Sequence, residues 1–356
     1  MKIGRVSENI YKRSILQQIK TKRKEVLIGA GPGEDCAVFS FSEDSVPDKN
    51  DGSVIISCVR ESVVRTNTKT AEGFRDCSLE AVPVGYLLTG CVNELAAHGA
   101  EAAAVSLSIL IPLDAEEETL KVVMADAEAF CAKLGIQIAQ ARGRITSAAT
   151  EPVVTVTAYG KCRVEAAQAV SHTVKAARPG HDIVVSKWIG LEGTAILAER
   201  CRESLLERFP TWLTEEAAGF DRYLSTVPEA AVAMKSGVCA LHNVSEGGIL
   251  AALWELAEGA GVGLTIDLKK LPIRQETVEI CNYCNRNPYE LLSGGCLLMT
   301  GEDGAGLAAA LGAAGIPAAV VGRITDSNDR LILNEDEVRY LDRPHMDSIY
   351  EKGEEK

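Results

Sequence analysis

The 356-residue chain has no run of 18 or more apolar residues, which excludes a helix apolar enough to span a bilayer. Its opening residues, Met1-Lys2-Ile3-Gly4-Arg5-Val6-Ser7-Glu8, contain no apolar core of the kind a secretory signal needs. Positive charge is in deficit: 37 Lys and Arg stand against 50 Asp and Glu, a formal net charge of -13. A surface of that sign repels nucleic acid and anionic membrane. A bound polyanion then has to be held by local N–H clusters, a few basic side chains or a divalent cation. The Cys281-Asn282-Tyr283-Cys284 stretch has no second Cys-x-x-Cys and no matching His spacing, so it reads as two unrelated thiols near a helix end rather than as a zinc site. The eleven cysteines are an odd number and sit in apolar surroundings, as Cys239 and Cys296 do, which fits free thiols in a reducing compartment. A cytoplasmic protein with no nucleic-acid or membrane partner is expected.

What is present is a globular composition, 46% hydrophobic and 24% charged, in a chain long enough for about two domains. No fixed-period repeat is visible. Short runs rich in Val, Ile and Ala at 35–41, 54–59, 102–111, 136–141 and 153–159 predict strands, and helical periodicity covers 84–98 and 115–134. In the second half, strands are predicted at 182–186, 238–241, 263–267, 296–299 and 318–321. Helices alternate with them, including 246–258, 274–284 and 305–314. The pattern is α/β, with the join at 165–180, where Ala-rich sequence meets Arg178-Pro179-Gly180, and a charged tail at the end.

The most informative stretch is Leu241-His242-Asn243-Val244-Ser245-Glu246-Gly247-Gly248-Ile249, a polar turn opening a helix. Glycines there let backbone N–H groups approach an anion at the positive end of the helix dipole. The competing reading is a helix start capped by Ser245, with Gly247 and Gly248 serving close packing. The turn Gly190-Leu191-Glu192-Gly193-Thr194 has the same strand-to-helix character and is expected to be the main phosphate contact of the second half, against the plain alternative of a tight turn.

The His242 segment resembles the His-Asp-x-Thr-x-Gly-Gly segment of the aminoimidazole-ribonucleotide synthetase superfamily. Further matches follow in register: Pro179-Gly180-His181-Asp182, Gly190-x-x-Gly193-Thr194, Ala252 to Ala257, Glu290 to Gly295, Gly315-Ile316-Pro317 and Gly322-Arg323-Ile324. In the first half, Gly31-Pro32-Gly33-Glu34-Asp35 resembles the family's Gly-x-Gly-Asp-Asp strand, and Val92-Asn93-Glu94-Leu95-Ala96 its Val-Asn-Asp-Leu-Ala helix. Nearly the whole chain is covered, and within the superfamily it looks most like the hydrogenase-maturation branch and its unassigned relatives. The resemblance implies a PurM-like two-domain α/β (α+β) fold: an N-terminal domain over 1–163 that binds ATP and dimerises, a C-terminal domain over 172–335, and a tail over 336–356. It also implies ATP with magnesium between the domains. Glu34, Asp35 and Glu94 then stand as metal ligands, and Gly31, Gly33, Asn93, Arg142, Arg144, Gly190, Gly193, Thr194, His242, Asn243, Glu246 and Gly247 as nucleotide contacts. A homodimer is expected, because the strand over 102–111 reads as apolar on both faces. Other implied partners are a nucleotide or phosphorylated small molecule and a second protein.

The departures from the family pattern concentrate on the metal chemistry. Glu34 and Glu94 replace shorter aspartates. Val59 is placed where a metal-binding Asp is expected, with Glu61 as a substitute if the register slips. Arg142 and Arg144 replace a potential acid, either to neutralise a triphosphate directly or to pair with Glu34, Asp35 or Glu94, and Asn243 replaces a carboxylate. The sequence ends without the C-terminal cysteine that carries the group to be dehydrated in the hydrogenase-maturation enzyme. The expectation is a family member with weakened or lost catalysis. The alternatives are an active ATP-dependent enzyme acting on a small molecule, and a non-catalytic binding or structural dimer.

Overall fold

A computed structural model describes residues 6–40, 53–65, 69–70, 73–74, 81–163 and 173–351. The expected join therefore lies partly outside the described residues. The first half forms one six-stranded sheet from β1 (Val26–Ile28), β2 (Ala37–Phe39), β3 (Ser53–Val63), β4 (Glu101–Ile111), β5 (Gln137–Ile145) and β6 (Val153–Arg163), in the spatial order β1-β2-β3-β6-β4-β5. All neighbours are antiparallel except β4 and β5, which the helix between them renders parallel. That helix, α2 (Glu117–Leu134), ends at Gly135 in the left-handed conformation, φ 67°. With α1 (Val84–Ala97) it covers one face of the sheet, burying Val105, Leu107, Ile109, Val154 and Val156. Strand β4 alternates: Val105, Leu107, Ile109 and Ile111 face the helices, while Ser106 and Ser108 face outward, so the strand is not apolar on both sides. Ile55, Val59 and Tyr159 are exposed.

The second half forms a seven-stranded sheet. Its elements in chain order are β7 (Asp182–Ser186), α3 (Leu191–Arg200), α4 (Arg202–Arg208), α5 (Thr211–Ala218), α6 (Val227–Ala233), β8 (Ala240–Asn243), α7 (Gly248–Ala260), β9 (Gly263–Asp267), α8 (Gln275–Cys284), β10 (Leu297–Gly301), α9 (Gly304–Ala313), β11 (Ala318–Thr325), β12 (Arg330–Asn334) and β13 (Glu337–Tyr340). The spatial order is β8-β10-β7-β11-β9-β12-β13. Alternate residues of β7 serve opposite faces: Ile183 and Val185 pack with Ile249 and Leu253 of α7, and Val184 packs with Leu307 and Leu311 of α9. Both faces being covered, β7 carries the continuous apolar run Ile183-Val184-Val185 and β10 the run Leu297-Leu298-Met299, as strands buried on both faces do. Ala96 and Ala97 of α1 join the second of these cores, which seats the first half against the second. Among the described residues no helix is long and apolar enough to cross a membrane.

Candidate functional site

Strand β8 ends in His242 and Asn243, and β8 lies at an edge of its sheet, beside the first half. His242 Nδ1 is 3.1 Å from Asp35 Oδ2, and its Nε2 is 2.9 Å from Glu255 Oε2 on α7. Burial alone would depress the imidazole pKa, but the two carboxylates overcome it and raise it to about 10. His242 is therefore an imidazolium at neutral pH, donating from both nitrogens and tying the loop before β2 to α7. A doubly donating cation has no lone pair with which to act as a base. Asn243 next to it is 3% exposed, and neither its amide oxygen nor its amide nitrogen has a hydrogen-bond partner among the described residues. Burying both groups without a protein partner costs a few kcal/mol, on the order of 1 to 3 for each.

The other two family carboxylates are also paired. Glu94, on α1, lies 3.1 Å from Arg60 Nε, and Lys175 Nζ lies 2.6 Å from Glu34 Oε1. The Lys175 contact is an ion pair without hydrogen-bond direction, and the Glu34 carboxylate is otherwise buried with neither oxygen hydrogen-bonded. Arg60 follows from strand parity: Val54, Ile56 and Cys58 of β3 are buried, and Arg60 continues that face. This corrects the register read from the sequence. Val59 is 62% exposed on the opposite face, and Glu61 is exposed with it, so neither takes the place of the expected aspartate. A Cβ at Gly90 would overlap the Arg60 guanidinium, so that glycine makes room for it. Glu192, at the start of α3, is the further acid here. Burial pushes its pKa up, while Arg60 and a hydrogen bond from the Gly294 backbone oppose the rise.

The glycine turns are occupied by the protein itself. Gly190 N donates to Ser293 Oγ at 2.7 Å, Gly193 N donates to Leu292 O at 2.9 Å, and Thr194 Oγ1 lies 3.0 Å from Thr277 Oγ1. A Cβ at Gly193 would overlap Leu291, so this glycine lets the 287–293 loop close over the helix start. Gly33, at φ 71°, brings its loop against Val174 and the Glu255 carbonyl, and a Cβ at Gly31 would press on Glu34. Gly247, at φ 82°, donates its N–H to Asp347 Oδ2 at 2.6 Å. Asp347 is buried and also accepts from Ile349 N at 2.9 Å and from Leu292 N at 3.3 Å. Burial raises its pKa to about 7; the Ile349 and Gly247 N–H groups lower it, and the charge of Glu246 raises it. Asn93 is spent on structure, donating to Leu224 O at 2.7 Å and accepting from Thr226 N at 2.8 Å. Arg142 and Arg144 are exposed on edge strand β5, while the three carboxylates take Lys175, His242 and Arg60 instead. Arg60, Lys175, Glu192, Glu255 and Asp347 are thus the site residues not anticipated from the sequence.

The model of the AIR synthase related protein N-terminal domain matches residues 33–162, and that of the C-terminal domain matches residues 178–334. The chain belongs to this family. It is 28% identical over 239 residues to carbamoyl dehydratase HypE of Rhodobacter capsulatus, covering 66% of this chain and 67% of that protein. It is 24% identical over 209 residues to carbamoyl dehydratase HypE of Cupriavidus necator, covering 59% and 57%. The chain thus spans between 57% and 67% of the length of these curated relatives. The fold is similar to that of E. coli HypE, a hydrogenase maturation protein, with TM-score 0.65 and 19% identity over 83% of this chain and 87% of that one. It is equally similar to ThiL complexed with AMPPCP and TMP, with TM-score 0.64 and 18% identity over 93% and 95%. The two-domain α/β architecture of the superfamily is therefore the fold of this protein.

Proposed function

We propose that this chain is a HypE-like family member that binds a nucleotide or phosphorylated small molecule between its halves without magnesium-dependent turnover. One observation carries the reading: each of the three inherited carboxylates is neutralised by a cation of the protein, Glu34 by Lys175, Asp35 by His242 and Glu94 by Arg60. Magnesium needs fixed oxygen ligands in octahedral geometry. A divalent ion approaching these carboxylates meets the largely buried charges of His242 and Arg60 and the more exposed one of Lys175, and each close pair of like unit charges costs about 4 kcal/mol in a partly screened site. The residues present do not fit magnesium.

Retained binding is supported by the unpaired buried amide of Asn243, which suits a polar ligand better than a folded core. Solved relatives include HypE in complex with ATP and a HypE–HypF complex, so ATP and a second protein are the first partners to try. A homodimer through the open face of the first sheet belongs to the same proposal, supported by the exposed Ile55, Val59 and Tyr159 on that sheet. The test is ATP hydrolysis by the purified protein with magnesium. Turnover well below ~1 per second, the lower end for phosphoryl-transfer enzymes, is expected; a rate at or above that value overturns the proposal.

A further inference from the structure

The sequence singled out Cys281 and Cys284, but α8 sends them to different places. Cys281 is fully buried, and burial pushes its thiol up to about 12. Cys284, at the last residue of α8, is partly exposed and meets Cys201 instead, which sits at the break between α3 and α4. Their sulfurs are 3.9 Å apart, with the Cys284 thiol donating to Cys201 Sγ. A disulfide needs about 2.05 Å, so the sulfurs must close by less than the width of one atom. Both residues lie at helix ends, where side chains and terminal turns have the most freedom.

We propose that Cys201 and Cys284 form a thiol modification site for low-molecular-weight disulfides, with Cys201 as the attacking thiol and Cys284 as the resolving one. The Cys201 thiolate attacks one sulfur of a small disulfide such as glutathione disulfide. The S–S bond breaks, one glutathione leaves as thiolate, and a mixed disulfide forms on Cys201. Cys284 then gives up its proton and attacks the Cys201 sulfur, and the second glutathione leaves, so that two protein thiols become one disulfide and one glutathione disulfide becomes two thiols. The environment fits this division of labour. The hydrogen bond from Cys284 lowers the Cys201 thiol to about 7 against the pull of burial, with Arg200 and Arg286 adding to the effect, whereas donating that bond pushes Cys284 well up. Cys36, Cys58, Cys91, Cys131, Cys162 and Cys296 are buried, so an oxidant in solvent meets the pair before it meets them. The link would join the C-terminal ends of α3 and α8, whose earlier turns are already tied by Thr194 and Thr277.

The experiment is incubation of the full chain with glutathione disulfide near neutral pH, then alkylation and peptide mass spectrometry. The expected result is a Cys201–Cys284 linked peptide in the unaltered protein, a Cys201–glutathione adduct trapped in Cys284→Ser, and neither product at Cys284 in Cys201→Ser. An unmodified Cys201 in both the unaltered protein and Cys284→Ser overturns the proposal. So does an adduct that persists in the unaltered protein without resolving. The measurement on the unaltered protein stands even where a variant folds poorly.

Discussion

Replacing His242 by Ala perturbs the site at the point where its two halves are joined. The imidazole pKa rises from 6.5 to about 10 on folding, so the folded state binds the proton more tightly than the unfolded chain does. Each pH unit of that gap is about 1.4 kcal/mol, and the gap places roughly 3 to 5 kcal/mol of stability on this one proton. The sign follows: the contribution is fully present below pH 6.5 and is withdrawn as pH rises through about 10. His242→Ala also removes the cation between Asp35 and Glu255, and losing one member of such a largely buried ion pair costs about 3 kcal/mol or more. Urea unfolding of both proteins across this range is the assay. Near neutral pH the variant is expected to be less stable by about 3 kcal/mol. The difference should shrink steadily toward pH 10, because only the unaltered protein loses the proton. Parallel stability profiles for the two proteins, or an imidazole NMR titration centred near 6.5, would refute the reasoning.

Two further outcomes are expected. Asp347 has a folded pKa of about 7, above its ordinary 3.8, so ionisation between those values disfavours the docked tail. Hydrogen-exchange protection of the Gly247 and Leu292 amides, corrected for intrinsic rate, should therefore fall as pH rises from 3.8 toward about 7 and level off above it in the unaltered protein, and stay level throughout in Asp347→Asn; an identical pH response in both counts against it. Static light scattering at micromolar concentration should report a dimer, reduced toward monomer by Val59→Lys on the open sheet face; a monomeric unaltered protein removes that part of the proposal.

Much of the fold was legible because hydrophobic period and glycine punctuation agreed. The α7 helix lies between Gly247 and Gly261, both at positive φ, and its apolar stripe is unambiguous. The hairpin of β12 and β13 was not legible because its edge strand, Glu337-Val338-Arg339-Tyr340, is only four residues long and exposed throughout, too short for its alternation to stand out. In the site, His242, Asp35, Glu34 and Glu94 were visible through motif resemblance, but their partners were not. Arg60 was missed by a single residue of register, which on a strand exchanges the two faces. Parity with Val54, Ile56 and Cys58 carried the signal. Glu255 and Asp347 had no local signal, since their roles come from contacts 13 and 100 residues away in the chain. The Gly190 turn resembles an anion site on local chemistry, and only the 287–293 loop, folded over it, accounts for the Gly190 and Gly193 N–H groups.

Calorimetric titration of ATP with and without magnesium tests most directly whether protein cations have taken the place of the metal. In the unaltered protein, magnesium is predicted to leave ATP affinity unchanged within about twofold. In Arg60→Asp, which removes the guanidinium beside Glu94 and adds a carboxylate on the inward face of β3, magnesium should tighten binding by about tenfold or more, about 1.4 kcal/mol. Magnesium-dependent tightening of that size in the unaltered protein would contradict the account.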